Sequence, residues 1–320
     1  MKKLLIPVLL IFALALTACG GGSANTEGSK ETNAPSSNGQ TEQAGQTDSG
    51  TFIYESENGP VEVPKNPQRV VVLTRFLTGN VMLLNVPLVG VDEMSKTNPK
   101  FEEQLKDVEA VSDESLEKIM ELEPDLIIGQ DGIKNIDKLK QIAPTVIYTY
   151  GKLNYFDLEI EIGKLLNKEE EARAWTVDFK QRLEKAGEEI KAKIGENKTI
   201  TVIETFNKQL YVYGYNFGRG TELLYNELGF KLPPKVEEAV KKDGYFALST
   251  EVLDEYTGDY IVFSKNADED NSFQNTSTYK NLDAVKNNHV LEADAKSFYF
   301  NDPLSLEYQL KFFTEQLLGQ

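Results

Sequence analysis

Two sets of residues in this 320-residue chain have the types and spacing to do chemistry. The first is a pair of glutamates in a repeated setting. Ser115-Leu116-Glu117 opens a helical stretch that leads into Asp125-Leu126-Ile127-Ile128, and Ser249-Thr250-Glu251 opens one that leads into Asp259-Tyr260-Ile261-Val262. Glu and Asp are eight residues apart both times. Each Ser is placed to cap its helix. Each Glu falls in the first turn, where its charge complements the helix dipole by about 0.3–1 kcal/mol. That is a sufficient account of either Glu alone. Recurrence at matched points in two halves supports a further reading, paired charges displayed at equivalent places on a two-lobed body. In parallel α/β lobes a helix starts at the carboxyl edge of the strands, where ligands bind. Both Glu therefore belong near the rim of a cleft.

The second set is aromatic. Tyr211-Val212-Tyr213-Gly214-Tyr215-Asn216-Phe217-Gly218-Arg219-Gly220 interleaves rings, glycines and one arginine just past a strand. Glycine permits close backbone approach, and arginine offers a planar fork to ligand oxygens. Tyr213, Phe217 and Arg219 are the candidate ligand contacts here. The same run also reads as a β-hairpin whose alternate Tyr side chains pack against the second lobe. In Ser297-Phe298-Tyr299-Phe300-Asn301-Asp302-Pro303 the candidate is Tyr299, while Phe298 and Phe300 read as readily as core. Arg75, two residues past the first strand, is placed to meet either a ligand or an acidic neighbour. Trp175 lies inside a long helix and reads as packing.

The inventory excludes other chemistry. One His and one Cys cannot build a His/Cys zinc or iron–sulfur site. A site for bare Zn²⁺ or Mn²⁺ recruits several His, and His289 reads as a structural residue in a turn before a strand. Asp268-Glu269-Asp270-Asn271-Ser272 lacks the Gly and final Glu of a calcium loop and reads as a solvated loop. No G-x-S-x-G elbow and no G-x-x-x-x-G-K-[ST] loop occurs. Two first-turn Glu on separate lobes do not suit a glycosidase pair, which needs a separation under about 10 Å. With 34 Lys+Arg against 51 Asp+Glu, the net charge is −17 and no basic block offers itself to nucleic acid. The expectation is a binding protein with no catalytic residue, no resident cofactor and no metal ligands. An extracytoplasmic hydrolase remains the distant alternative.

Residues 1–18 read as an export signal: Lys2 and Lys3, then the apolar run Leu4 to Leu16. That run is too short to span a bilayer permanently. Leu16-Thr17-Ala18-Cys19 resembles a lipobox, which implies cleavage before Cys19 and lipidation of its thiol. The shortened chain would carry −19, so lipid rather than charge must hold it at an anionic surface. Residues 19–50 contain no aromatic and no Leu, Ile, Val or Met, and read as a flexible tether.

The globular remainder alternates strands and helices. Strands are expected at 69–73, 86–91, 125–129, 145–149 and 200–204. Helices are expected at 116–123, 136–142 and 221–228, the last closing at Gly229. A long helical region from 156 to 195, broken once near Asn167, separates the two halves. The fold class is α/β, with two Rossmann-like lobes joined by one long rigid α-helix. The expected domains are an N-terminal lobe at 51–155, a linking helix at 156–196 and a C-terminal lobe at 197–320.

Several short motifs carry a resemblance. Asn66-Pro67-Gln68-Arg69-Val70-Val71, Leu122-Glu123-Pro124-Asp125, Ile142-Ala143-Pro144-Thr145-Val146, Asn281-Leu282-Asp283-Ala284-Val285-Lys286-Asn287-Asn288 and Asp302-Pro303-Leu304-Ser305 keep one order along the chain. With the lipobox and the central helix, the combination resembles the ferric-siderophore-binding lipoproteins of ABC importers, over roughly residues 52–318. The resemblance implies a ligand in a shallow interlobe cleft, a ligand-contacting aromatic near Tyr299, and docking of Glu117 and Glu251 on an arginine cluster of the permease. It implies a lipid-anchored protein on the extracytoplasmic face of a bacterial cell membrane, expected as a monomer. Iron would arrive already chelated. Arg75 and Arg219 as the only cleft cations favour a ferric hydroxamate over a triply anionic ferric catecholate. Haem and cobalamin remain alternatives on the same fold.

Overall fold

The computed structural model describes residues 50–319. The export signal, Cys19 and, apart from Gly50, the tether lie outside the described residues. Among those described, no helix is long and apolar enough to cross a membrane.

The chain opens with an antiparallel hairpin, β1 (Thr51–Ser56) and β2 (Gly59–Pro64). Five short strands then build the first sheet: β3 (Val70–Val72), β4 (Leu88–Asp92), β5 (Glu109–Val111), β6 (Leu126–Gln130) and β7 (Thr145–Tyr148). β3 is wholly aliphatic and β6 opens on Leu126-Ile127-Ile128, as suits parallel strands covered on both faces. The order is β5-β4-β3-β6-β7 and every pairing is parallel. The chain winds one way from β3 and the other way from β6. The loops leaving those two strands therefore diverge and open a crevice at their carboxyl ends.

The second sheet departs from the all-parallel expectation. Its strands are β8 (Ile200–Phe206), β9 (Gln209–Tyr213), β10 (Tyr245–Leu248), β11 (Tyr260–Lys265) and β12 (Val290–Asp294), in the order β10-β9-β8-β11-β12. β8, β11 and β12 run parallel, whereas β9 and β10 are antiparallel to their neighbours. The reason is local. Asn207 and Lys208 both take positive φ, 49° and 64°, in a two-residue turn of the hand that matches strand twist. Such a turn leaves no room for the crossover a parallel partner needs. The run beginning at Tyr211 thus contains half of a hairpin, followed by a loop. Here too the sheet splits, with β8 and β11 at its switch point.

Between the lobes, Asn154 caps a helix at Tyr155–Leu165 by accepting from the N–H groups of Phe156 and Asp157. The break falls at Asn167, φ 54°. The linking helix Glu169–Ile194 follows, with three Glu in its first turn and Lys191 and Lys193 in its last. Its buried face, Ala172, Thr176, Phe179, Leu183 and Ile190, has helical spacing. A second element also joins the lobes. Asp302 caps the C-terminal helix Pro303–Leu318, accepting from the N–H groups of Leu304 and Ser305 at 3.1 Å each. That first turn is seated in the N-terminal lobe: Leu304 packs on its core, and Asn98 Nδ2 donates to Ser305 Oγ at 3.4 Å. Gly79, in the helix Thr78–Leu83, faces Asp302 too closely for any side chain. Further along, Glu307 accepts from Trp175 Nε1 at 2.9 Å and from Arg182 Nη1 at 2.6 Å on the linking helix. Trp175 itself stacks on Phe179, ring centroids 4.9 Å apart.

The Ser–Glu–Asp repeat resolves into parts. Ser249 caps a tight 3₁₀ turn at Thr250–Tyr256 by accepting from the Glu251 N–H at 3.3 Å. Ser115 makes no such bond; its Oγ accepts from the Ser112 N–H at 3.2 Å. Both Asp residues anchor a neighbouring strand. Asp125 accepts from the N–H groups of Gln68 and Arg69 at 2.6 and 3.0 Å, just ahead of β3. Asp259 accepts from the Thr199 N–H at 2.9 Å, just ahead of β8. The eight-residue spacing therefore has a structural half that composition alone did not reveal.

Candidate functional site

A cleft of about 530 Å³ lies between the two sheets' carboxyl edges. The N-terminal lobe contributes Arg75, Phe76, Met94 and Tyr150. The C-terminal lobe contributes Phe206, Phe217, Arg219 and Tyr299, with Asn216, Gly218, Phe300 and Asn301 between them. Phe76 packs on Tyr150 with centroids 5.1 Å apart and meets Phe300 edge-on at 6.2 Å, so rings from both lobes touch. The polar groups are few, and the lining includes no carboxylate. That combination of apolar walls and sparse directional donors suits a bulky, oxygen-rich ligand.

Arg219 is held on every side. Its Nε and Nη2 donate to Glu204 at 3.0 and 3.1 Å, a bidentate fork, and Nη1 donates to the Phe217 carbonyl at 3.2 Å. Glu204 comes from the end of β8, is 0% exposed, and also accepts from Ser264 Oγ of β11. Burial opposes the Arg219 charge, but the Glu204 carboxylate and nearby phenols outweigh it and hold the guanidinium protonated. The guanidinium lies over the Tyr213 ring at 4.5 Å and the Tyr299 ring at 5.0 Å. Its backbone is left-handed at φ 59°, between Gly218 and Gly220, which are also left-handed. A Cβ on Gly218 would sit 2.5 Å from the Tyr299 carbonyl, so only glycine fits there. The next segment is wound with an i→i+5 bond, Leu228 N–H to the Leu223 carbonyl, the kind of irregularity found at functional sites.

Arg75 is different. It lies over the Phe76 ring at 4.9 Å and makes no ion pair with a described residue. Tyr299 accepts from Asn266 Nδ2 at 3.3 Å, and burial pushes its phenol up to about 12, so it stays a neutral donor. Glu222 lies behind the lining, accepting from the Gly218 N–H at 3.0 Å and from Asn301 Nδ2 at 3.3 Å.

Four of the five ligand candidates named from sequence, Arg75, Phe217, Arg219 and Tyr299, line this one cleft. Tyr213 does not line it. It is 3% exposed in the core of the second lobe and stacks beneath Phe217 at 5.4 Å. Tyr213 shares its face of β9 with the half-buried Gln209 and Tyr211, and it is buried because the Phe217 ring and the Arg219 guanidinium cover it. Phe76, Met94, Tyr150 and Phe206 line the cleft but escaped sequence reasoning. A signal for them existed, because each lies at a strand's last residue or within four residues past it. Glu117 and Glu251 are both exposed at the first turns of their segments. His289 is structural, stacked on Tyr260 at 4.2 Å with Nδ1 3.1 Å from the Asp259 carbonyl. Among the described residues no group of three or more His, Cys, Asp or Glu could hold a metal ion. A second hollow of about 650 Å³ lies between the β1–β2 hairpin and the helix Ile136–Ile142; no aromatic ring lines it.

Two lobes, a firmly held connection and an aromatic cleft at two switch points define a solute-binding protein. The profile described as periplasmic binding protein matches residues 70–297, and the chain belongs to that family. It is 37% identical to the iron(3+)-hydroxamate-binding protein FhuD of Bacillus subtilis, over 96% of this chain and 95% of that one. It is 35% identical to the iron(3+)-hydroxamate-binding protein YxeB of the same organism, over 99% and 98%. FhuD2 of Staphylococcus aureus with bound ferrioxamine B superposes with a TM-score of 0.73 at 32% identity, covering 79% of this chain and 99% of that one.

Proposed function

We propose that this protein binds a ferric siderophore of the hydroxamate class in the interlobe cleft and delivers it to the permease of an ABC importer. The observation that carries the choice of ligand is the charge balance of the cleft. Two arginines line it, Arg219 is neutralised by Glu204, and Glu222 lies directly behind. Ferric iron held by three hydroxamates is neutral, whereas three catecholates leave a triple negative charge. A cleft with no net excess of cations favours the neutral complex. The rings of Phe76, Tyr150, Phe217 and Tyr299 contact the apolar flanks of the chelate. Arg75, Arg219 and the Tyr299 hydroxyl donate to its oxygens. The names of the relatives point the same way.

Iron enters as cargo inside its chelator and needs no protein ligand. The protein performs no bond-making step, and ATP chemistry belongs to another subunit. Glu117 and Glu251, exposed on separate lobes, dock as a pair on cationic residues of the permease. Lipid on Cys19 keeps the monomer at the outer face of the membrane. The test is a fluorescence titration of the purified protein, whose 14 Tyr and one Trp report iron quenching. Ferric hydroxamates, a ferric catecholate, ferric citrate, haem and cobalamin form the panel. Saturable submicromolar quenching by hydroxamates alone supports the proposal. Tighter binding of any other member overturns the ligand assignment.

A further inference from the structure

Phe217 is the aromatic wall of the C-terminal lobe, yet it sits on the irregular segment 214–220, which has no ladder of its own to fix a ring. Three contacts fix it from outside that segment. Tyr213 stacks beneath it. Tyr245, the first residue of edge strand β10, packs on its flank with centroids 5.2 Å apart and planes tilted by 53°. Gly244 approaches so closely that a Cβ would lie 2.9 Å from Phe217 Cδ2, and its φ of 78° is one that glycine tolerates. The Gly214 N–H donates to the Gly244 carbonyl at 2.8 Å, tying the root of the segment to the root of the strand.

β10 is otherwise hard to account for. It is an exposed edge, and Tyr245 and Phe246 are 42% and 38% exposed, an arrangement proteins usually avoid. Tyr245 is braced on its other side by Tyr211 at 5.8 Å, and its hydroxyl has no hydrogen bond to a described residue. The ring is therefore held between Tyr211 and Phe217 while part of it stays open to solvent.

We infer that Gly244 and Tyr245 are positioning residues which set the place of the Phe217 ring, and through it the width of the cleft and its selection among chelates. The inference rests on the reading of this cleft as the ligand site. A ring free to swing would present no fixed wall; a ring clamped on three sides selects by shape.

Two measurements on the full protein test it. The first needs no ligand: fluorine NMR with 4-fluorophenylalanine, the Phe217 resonance assigned by Phe217→Leu. Tyr245→Ala should shift that resonance, and Tyr245→Phe should restore it. An unchanged Phe217 signal in Tyr245→Ala overturns the inference, whatever the protein binds. The second is a double-mutant cycle for ferrioxamine B. Tyr245→Ala should weaken binding about fivefold, the size of one aromatic pair. The same change in a Phe217→Ala background should have no further effect, because the residue acts through the ring. Equal loss in both backgrounds overturns the positioning role. If the unmodified protein binds no ferric hydroxamate, the ligand reading fails, and the fluorine signal alone decides the positioning.

Discussion

Substituting Glu204→Gln tests stability and selectivity together. Glu204 is fully buried, accepts two bonds from Arg219 and one from Ser264, and cancels the guanidinium charge. Glutamine keeps the volume but removes the charge and turns one end into a donor facing a donor. Removing one partner of a buried pair costs about 3–5 kcal/mol. The Arg219 side chain keeps 14% exposure, so the freed charge can reach cleft water, which favours the lower end, about 3 kcal/mol. For a domain of this size the melting temperature falls by about 6–12 °C. Meanwhile the cleft gains one uncompensated positive charge. At about 6 Å from a triply anionic chelate that is worth about 2 kcal/mol at the dielectric of water, and about half that at physiological salt. A neutral hydroxamate feels almost none of it. The catecholate-to-hydroxamate affinity ratio should therefore rise by about fivefold to thirtyfold. Thermal melting and paired titrations measure the two effects. An unchanged melting temperature would refute the buried-pair account, and an unchanged ratio would refute the charge-balance account.

Other consequences are as specific. Glu117→Ala with Glu251→Ala should leave ligand affinity intact and abolish iron uptake in cells; lost affinity in the purified double variant would overturn the assignment of roles. Gly218→Ala places a Cβ against the Tyr299 carbonyl at a left-handed φ, so both stability and ligand affinity should drop, read by melting and titration. Glu159 is buried on the helix Tyr155–Leu165, accepts from Asn80 Nδ2 at 2.8 Å, and is pushed by burial up to about 8. A carboxyl raised in the folded state contributes stability that is full below its unfolded pKa and is lost as pH rises through the folded one. Melting at pH 5 to 8 should thus fall in the unmodified protein and fall less in Glu159→Gln, a difference on the order of 3 kcal/mol by pH 7. Small-angle scattering should show little change on ligand addition, because two helices span the lobes; a large drop in radius of gyration would contradict this.

The parallel half of the architecture was legible because buried parallel strands are short aliphatic runs and their crossovers carry helical spacing. Asn167, expected to break the long helix, does so. The antiparallel half of the second sheet was only partly legible: the hairpin reading of the run from Tyr211 holds for β9, but its turn, Asn207-Lys208, is a weak signal beside an NG or DG pair, and β10 was not anticipated. Tyr213 looked like a ligand contact because composition cannot tell that Phe217 and Arg219 fold back over its ring. Glu117 and Glu251 were singled out through repetition, a signal that can be read without knowing the fold; the structure shows both exposed in first turns. The second strap was missed because the Asp302 cap reads as the start of a C-lobe helix. Only the fold shows Leu304 and Ser305 seated in the other lobe. Asn80 and Glu159 are invisible to pattern reading: Glu159 alternates with Asp157 and Glu161 and reads as one more surface carboxylate, and Asn80 is 79 residues away in sequence.

The most direct test is diffraction at the iron absorption edge from crystals of the protein grown with ferrioxamine B. One anomalous peak should appear inside the cleft, between Phe76 and Tyr150 on one side and Phe217 and Tyr299 on the other, within reach of Arg219. A peak in the hollow beneath the β1–β2 hairpin, or no ordered iron at saturating ligand, would contradict it.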